Sequence, residues 1–458
     1  MTLDISQLDP DQRHALELML AGSNVWLTGR AGSGKSTVVE HFREICQRKT
    51  AFLAPTGLAA LHIGGSTIHR FFGFPAAFLP AGHVHFPRPD RQRTIEATQT
   101  IVVDEVSMVR ADLFQAMAET LGALPLPGHA GEPFGGRQII VCGDFCQLPP
   151  VVSSWIERFE LNRSFGGVFA FKNPVWQMAF FRTAWLRQAH RQATEREFVD
   201  ALDAIRIGWR SSEEALEAVR WLNRNVTIAR APRDCTVLCT TRKRASAINA
   251  MRDAELKSAP CAFDATISGL FDLKACPADS RLELRVGSRI MLLANGCTEE
   301  GTEYVNGDAG VVTGIEPEQP AVDVLLDDGR RLEVKPHTWL EQEYRAVEDP
   351  ETGEEVLDLV TVASLKQIPL KLAYAITIHK AQGMSMLRVH VDIGTGTFAS
   401  GQLYVALSRC RTLAGLSLER PVHPCNVRLD PEVREFHRRV LSEDSRDDVL
   451  LVPEGSTV

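Results

Sequence analysis

The chain has 458 residues, of which 44% are apolar, and this length and composition are typical of a globular protein with two to four domains. Its start is polar and acidic and no apolar run approaches a membrane span, so we expect a cytoplasmic protein rather than a secreted or membrane protein. The net charge of −8 argues against a uniformly basic nucleic-acid-binding protein.

That negative charge is concentrated in two stretches. Residues 341–358 contain eight acidic residues and one basic residue, and residues 442–458 contain five acidic residues and one basic residue. The remainder of the chain is therefore slightly basic, and residues 181–252 contain fourteen Arg and Lys against eight Asp and Glu. A local basic groove for nucleic acid is compatible with this distribution. Ten cysteines without a CxxC pair predict buried, reduced thiols and neither a structural metal nor disulfides.

The first predicted element is a helix that follows the cap-like pair Asp9-Pro10. Gln12 lies just upstream of a phosphate-binding motif, where a glutamine can recognise the edge of an adenine. The alternative is a solvated glutamine at a helix start.

Residues 25–37, VWLTGRAGSGKST, match the phosphate-loop pattern GxxxxGK[ST] between a predicted strand and a predicted helix. Backbone amides and the helix N-terminus can then bind phosphates, Lys35 can reach the β- and γ-phosphates, and Ser36 can bind Mg²⁺. An ordinary glycine-rich turn is the alternative, but the flanking strand and helix favour a nucleotide site. The predicted ATP-binding residues here are Gly29, Ala31, Gly32, Ser33, Gly34, Lys35, Ser36 and Thr37.

The next strand ends in Pro55-Thr56-Gly57, a hydroxyl-bearing turn suited to a phosphate of a nucleic acid. Residues 64–72 then combine glycines, hydroxyls and aromatic rings, as expected of a single-strand platform. The predicted DNA contacts in this stretch are Gly65, Thr67, His69, Phe71 and Phe72, although either phenylalanine could equally be a core residue. Residues 73–93 are predicted to be a surface insertion, either a wedge or lid or a plain loop.

Two further strands supply candidate catalytic residues. A β-branched strand at residues 100–103 ends in Asp104-Glu105, where Asp104 would hold Mg²⁺ and Glu105 would orient or deprotonate the attacking water. The strand at residues 138–142 is followed by Asp144 and Gln147, which are predicted to lie near the γ-phosphate, and Gln147 is suited to sensing it by hydrogen bonding. Together these elements predict one α/β domain with a mostly parallel sheet.

A second α/β domain is predicted to begin near residue 235, with Thr240 as a candidate DNA contact. Residues 282–334 change to β-branched alternation and predict a small antiparallel barrel. The α/β pattern returns with a strand followed by His379-Lys380, and a later helix ends near Arg409. Arg409 is either a common buried arginine or an arginine supplied to the triphosphate by the second domain.

Eight stretches, taken in order, resemble the Pif-type (petite integration frequency) DNA helicases of superfamily one, the 5′-to-3′ branch that also contains RecD. The resemblance extends from about residue 8 to residue 410, nearly the whole chain. The matching stretches are residues 29–37, 54–60, 64–72, 103–108, 143–151, 186–192, 375–385 and 404–411.

The resemblance implies site roles that spacing alone does not give. Arg191 and Arg409 would reach the γ-phosphate from the second domain, although Arg191 by itself would be taken for a residue of a solvated helix face. Gln382 and Gly383 would couple this phosphate to DNA. The implied DNA contacts of the same segment are Thr377, His379 and Lys380.

The resemblance also implies an architecture of two tandem RecA-like P-loop NTPase domains. The expected divisions are residues 1–180 for the first domain with its wedge-like insertion at about 73–93, 181–284 with 366–440 for the second domain, 285–365 for an SH3-like β-barrel and 441–458 for an acidic tail. The expected protein is a monomeric ATP- and Mg²⁺-dependent 5′-to-3′ helicase on single-stranded, duplex or forked DNA. Repair or replication proteins are candidate partners. The preferred DNA structure stays open. A translocase that does not separate strands and a nucleotide-switched DNA clamp are the alternatives.

Overall fold

The computed structural model of the chain describes residues 7–75, 77–152, 154–188, 195–271, 273, 276–297, 303–316, 320–348 and 355–450. None of the helices in this part of the chain is long and apolar enough to cross a membrane.

The N-terminal α/β unit is built around a parallel sheet with the strand order β3-β2-β4-β5-β1-β6. Its strands are β1 Val25–Gly29, β2 Thr50–Ala54, β3 Ser66–Thr67, β4 Thr100–Val103, β5 Gln138–Cys142 and β6 Arg182–Leu186. Its helices are α1 Pro10–Leu20, α2 Lys35–Ile45, α3 Gly57–His62, α4 Ile68–Phe72, α5 Pro89–Ala97, α6 Ala111–Ala123, α7 Trp155–Phe165 and α8 Pro174–Met178. The central strands are apolar on both faces because helices cover both sides of the sheet.

A second parallel sheet has the strand order β21-β8-β22-β23-β7. Its strands are β7 Thr227–Ile228, β8 Thr236–Cys239, β21 Ala375–Thr377, β22 Val389–Asp392 and β23 Leu416–Leu418. The helices that accompany it are α9 Arg196–Ile207, α10 Glu213–Asn225, α11 Arg242–Ala254 and α12 Gln402–Leu407. Two parallel α/β sheets in tandem match the expected fold class.

A β-rich region separates β8 from β21 and is wider than the predicted limits of 285–365. Its strands run from residue 261 to residue 372 and are β9 Cys261–Asp264, β10 Thr266–Ser268, β11 Arg281–Leu284, β12 Arg289–Leu292, β13 Gly296–Cys297, β14 Glu303–Tyr304, β15 Ala309–Glu316, β16 Ala321–Leu326, β17 Arg331–Val334, β18 His337–Glu348, β19 Glu355–Gln367 and β20 Leu370–Leu372. All of their pairings are antiparallel.

The β18–β19 hairpin packs against the N-terminal unit. The Tyr344 hydroxyl accepts a hydrogen bond from the Phe52 amide at 3.0 Å, and its ring contacts the edge of Phe71. Residues 341–348 of the acidic stretch therefore belong to a structured, partly buried strand.

The C-terminal helix α13 Pro431–Leu450 packs on the N-terminal unit, not on the second sheet. Phe436 lies flat against Phe171 with ring centroids 4.2 Å apart, and it also contacts Trp26, Phe145 and Trp176. The assignment of residues 431–440 to the second domain is therefore wrong, because the helix packs Phe436 against the aromatic rings that cover the first sheet. The helix also continues beyond residue 440, where the sequence predicted only a tail.

Candidate nucleotide and nucleic-acid site

The phosphate loop connects the carboxyl end of β1 to α2, as predicted. Gly32 and Gly34 have φ values of +78° and +82°, a conformation that side-chain-bearing residues avoid, and α2 begins immediately afterwards at Lys35. Gly29 is required by packing, since a Cβ there would lie 2.5 Å from the Leu186 carbonyl oxygen. The loop is thus shaped for backbone contact with an anion at a helix N-terminus.

Lys35 is held inside this loop. Its Nζ donates hydrogen bonds to the carbonyl oxygens of Gly29 and Arg30, each at 2.9 Å. Burial lowers the pKa of the Lys35 amine, and the nearby Asp144 carboxylate partly opposes this effect. The buried Ser33 hydroxyl has no hydrogen-bond partner among the residues that the structure describes. Both groups fit a loop that a phosphate chain would complete.

Asp104 and Glu105 follow β4 at the same edge of the sheet. Burial raises the pKa of both carboxyl groups, and the additional charge of Asp104 helps to raise that of Glu105 to about 7. Glu105 also has a left-handed backbone with φ +50°, which is a strained conformation often found at functional sites. Two adjacent, partly buried carboxyl groups beside the loop that bears Ser36 form a donor set that fits Mg²⁺.

Side chains from the second unit also lie at this site. Gln382 donates a hydrogen bond from Nε2 to Glu105 Oε2 at 3.0 Å, across the boundary between the two units. Arg409 is buried and lies close enough to Glu105 to favour its ionised form. In this structure its guanidinium donates to the Met384 carbonyl, the Val405 carbonyl and Ser408 Oγ.

Sequence reasoning missed a second set of contacts between the units. The Tyr404 hydroxyl accepts a hydrogen bond from the Ala31 amide of the phosphate loop at 2.8 Å. Asp203, on α9, forms an ion pair with Arg30 at 3.1 Å. The sequence signals are the place of Tyr404 in the matching stretch 404–411 and the spacing of Asp203 and Arg206 on one helix face, and neither identifies a contact with the phosphate loop.

Arg206 forms a bidentate, buried ion pair with Asp144. Its Nε and Nη2 atoms donate to the two carboxylate oxygens at 2.8 and 2.9 Å, and the side chains are 5% and 1% exposed. Burial alone would raise the pKa of Asp144, but the Arg206 guanidinium lowers it below its usual value. Asp144, predicted to lie near the γ-phosphate, is thus tied to the second unit.

The other predicted nucleotide residues divide into three cases. Gln12 is buried, completes the cap of α1 with Asp9 and donates to the Ser33 carbonyl at 3.3 Å, so it contacts the phosphate loop directly. Gln147 is also buried, and its backbone packs against Gly401 at the start of α12. Arg191 lies outside the described residues.

A cleft of about 640 Å³ lies beside the nucleotide site, and Glu105 and Gln382 contribute to both. Its predicted DNA-contacting residues come from both units and are Thr56, Gly57, Thr240, Thr377, His379 and Lys380. Burial, with the neighbouring Lys371, lowers the pKa of Lys380 to about 8. Pro55 directly precedes Thr56 at the end of β2.

Phe398 also lines this cleft and was not predicted. It is 59% exposed and stacks on His379 with ring centroids 6.0 Å apart and an interplanar angle of 14°. His62 was likewise not predicted. It lies between Asp104 and Asn306 of the β-rich region. Burial lowers the pKa of His62, and the nearby Asp104 carboxylate partly opposes this effect. Neither residue belongs to a recognisable local pattern in the sequence.

The predicted aromatic platform at Phe71 and Phe72 is wrong. Both rings are at most 4% exposed and belong to the core of the N-terminal unit, where Phe72 stacks on Phe74. The neighbouring Gly65 packs against β2, since a Cβ there would lie 2.1 Å from the Phe52 carbonyl oxygen.

Two other residues of this stretch have a different setting. Thr67 accepts a hydrogen bond from the Arg70 amide and caps α4. His69, Thr67 and Gly65 line a separate hollow that faces β18 rather than the main cleft.

Comparison with known proteins agrees with this geometry. A family model described as PIF1-like helicase matches residues 7–215. The ATP-dependent DNA helicase Pif1 of Bdellovibrio bacteriovorus is 31% identical over 445 residues, which cover 94% of this chain and 92% of that protein. The chain belongs to the Pif1 helicase family. The human ATP-dependent DNA helicase PIF1 is 34% identical over 458 residues, which cover 96% of this chain and 66% of the human protein.

Pif1 structures confirm the fold class. Bacteroides sp Pif1 in complex with ADP-AlF4 is 30% identical, with a TM-score of 0.83 over 95% of this chain and 97% of that chain. Bacteroides Pif1 bound to ssDNA is 31% identical, with a TM-score of 0.66 over 95% of this chain and 98% of that chain. At nearly equal identity and coverage, the overall arrangement of this chain is nearer to the first Pif1 structure than to the second.

Proposed function

We propose that this chain is an ATP-dependent DNA helicase that moves 5′ to 3′ along single-stranded DNA and unwinds duplex DNA. The observation that carries the proposal is the position of residues 377–382. Gln382 bonds to Glu105 in the nucleotide site, while Thr377, His379 and Lys380 line the adjacent cleft. A change at the triphosphate can therefore move the residues that hold a DNA strand. Relatives named as ATP-dependent DNA helicases support this interpretation.

Hydrolysis would proceed by in-line attack of water on the γ-phosphate. Glu105 orients the water and accepts its proton, and Gln147 senses the γ-phosphate. The charge that develops on the phosphate is neutralised by Lys35, Arg191 and Arg409. Ser36 and Asp104 would hold Mg²⁺, which neutralises phosphate charge when it is bound.

Closure of the interface would control the rate. In this structure Arg409 is bonded to carbonyls of its own unit, and Lys35 to carbonyls of its own loop. Both cations must turn toward the triphosphate before hydrolysis. An arginine supplied across a cleft contributes about 10³–10⁵ in rate, so we expect slow hydrolysis until ATP and DNA close the interface.

Single-stranded DNA is the proposed occupant of the cleft. Hydroxyl groups at Thr56, Thr240 and Thr377 suit phosphate contacts, and the His379–Phe398 stack offers an aromatic surface to a base. A Bacteroides Pif1 has been solved with ssDNA, and two Pif1 helicases have been solved on forked dsDNA. The monomeric state, the cytoplasmic location and any repair or replication partner stay predictions.

The test is ATP hydrolysis with and without single-stranded DNA, together with unwinding of duplexes that carry a 5′ or a 3′ tail. We expect DNA to stimulate hydrolysis and only the 5′-tailed duplex to be unwound. Stimulated hydrolysis without unwinding would support the translocase instead. A slow rate of ATP hydrolysis that does not change when DNA is added would contradict a motor and support the nucleotide-switched clamp.

A further inference from the structure

The exposed face of helix α7 carries large apolar side chains that the nucleotide site and the cleft do not use. Trp155 is 77% exposed, Phe159 is 57% exposed and Ile156 is 56% exposed. The helix is anchored from its other face by Leu161 and Phe165, which are buried in the core of the N-terminal unit. Clustered exposed aromatic residues on a stably packed helix indicate a binding surface.

The polar residues of α7 are sorted between its two faces. Arg158, Asn162 and Arg163 are exposed and share the helical spacing of Trp155 and Phe159. Glu157 instead points toward the N-terminal unit and pairs with Arg110.

Two acidic residues lie close to these arginines. Glu160 pairs with Arg163 at 2.9 Å, and Glu432 of α13 lies near Arg158. The exposed face therefore offers aromatic rings with a modest basic contribution. This chemistry suits stacked bases better than a dense row of phosphates.

Helix α7 begins a short distance along the chain from the proposed DNA cleft. Val151 is 63% exposed and lines the cleft together with Thr56, Thr240 and Phe398. Trp155 follows only four residues later, so the two Cα atoms are at most about 15 Å apart. Trp155 and Phe159 are one helical turn apart, about 6 Å along the axis, so that neighbouring nucleotides of an extended strand can reach both rings.

We propose that this face, defined by Trp155, Ile156, Arg158 and Phe159, binds the bases of single-stranded DNA just outside the cleft. The inference rests on the proposed function, because it takes the cleft to be the path of the strand. A hydrophobic protein partner or a second copy of the chain is the competing occupant. The mixture of aromatic rings with Arg and Asn, and the short distance from Val151 in the cleft lining, favour nucleic acid.

The experiment compares the full-length chain with the double variant Trp155→Ala/Phe159→Ala in binding to fluorescent oligothymidylates. One oligonucleotide has about six nucleotides, enough for the cleft alone, and others are extended by about ten nucleotides at the 5′ or the 3′ end. Met251→Ala is the matched control, because Met251 is 57% exposed on α11, away from the cleft. Sedimentation of each protein without DNA reports self-association.

We expect one of the two extensions to tighten binding by the wild-type chain and by Met251→Ala at least roughly tenfold, and the double variant to lose this gain. Binding of the short oligonucleotide should be equal in all three proteins. An equal gain in all three, or a change in sedimentation without a change in DNA binding, would overturn the inference while leaving the cleft intact. Failure of the wild-type chain to bind any oligonucleotide would instead contradict the proposed function.

Discussion

The proposed nucleotide interface and the proposed nucleic-acid cleft share Glu105 and Gln382 but are built in different ways. At the interface, charged side chains are buried and paired, as Asp144 is with Arg206. In the cleft, the side chains are partly or largely exposed and can contact a DNA strand, as those of His379, Lys380 and Phe398 are. A buried paired charge costs much to disturb, whereas an exposed ring contributes only when DNA is present. The two regions should therefore respond to substitution with different magnitudes and in different assays.

The largest effect should come from Arg409→Ala. ATP binding should persist, but DNA-stimulated hydrolysis should fall by about 10³-fold or more, because the cross-interface arginine is lost. Nucleotide binding and steady-state hydrolysis measured on the same preparation check this. A normal rate of ATP hydrolysis in this variant would contradict the assignment of Arg409 to the hydrolysis step.

Arg206→Met should destabilise the folded chain by about 3–5 kcal/mol, because the buried Asp144 carboxylate loses its partner. Adding Asp144→Asn should recover part of this loss. Denaturant unfolding of both variants provides the measurement. Arg233→Met, at an exposed ion pair with Glu255, is the control and should leave the midpoint unchanged. If the Arg206 variant unfolded like this control, the pair would be structurally irrelevant.

Substitution of one phenylalanine in the core and one in the cleft should affect different properties of the chain. Phe72→Ala should cost about 3–5 kcal/mol of stability through the cavity that it leaves in the core. Phe398→Ala should leave stability nearly unchanged but weaken single-strand binding by about 1–3 kcal/mol, roughly 5- to 150-fold in Kd. Unfolding curves and DNA titrations of both variants reveal whether the effects separate in this way. The reverse pattern would restore the original platform prediction.

The smallest effect should be a pH dependence of DNA binding. The pKa of Lys380 is lowered to about 8, so its amine is charged below this pH and loses its charge as the pH rises through it. Because phosphate binding favours the charged amine, single-strand affinity should decline modestly from about pH 7 to pH 9. Lys380→Arg stays charged over this range and should flatten the profile. Identical profiles for the two proteins would exclude Lys380 as the titrating contact.

The sequence predicted which of the candidate nucleotide residues lie side by side, because their chemistry restricts residue type and spacing together. Gly34, Lys35, Asp104 and Glu105 all lie at the carboxyl edge of one sheet, where parallel strands must place them. Gln382 lies beside them through its hydrogen bond to Glu105, and its coupling of the γ-phosphate to DNA stays a prediction.

The remaining features depend on tertiary packing that a local pattern does not specify. Phe71 and Phe398 are the same residue type, yet one is buried and the other exposed. Arg206 occupies the inward face of an ordinary amphipathic helix, and nothing local identifies its partner 62 residues earlier. The docking of α13 on the first sheet depends on aromatic rings brought together from distant segments.

The central claim is that Gln382 connects the two regions, and Gln382→Met tests it most directly because the volume is kept while the hydrogen bond to Glu105 is lost. The measurement is the rate of ATP hydrolysis with and without single-stranded DNA, in the variant and in the wild-type chain. We expect the variant to keep its basal rate and its DNA affinity while losing most of the stimulation by DNA. Full stimulation in the variant would contradict the account.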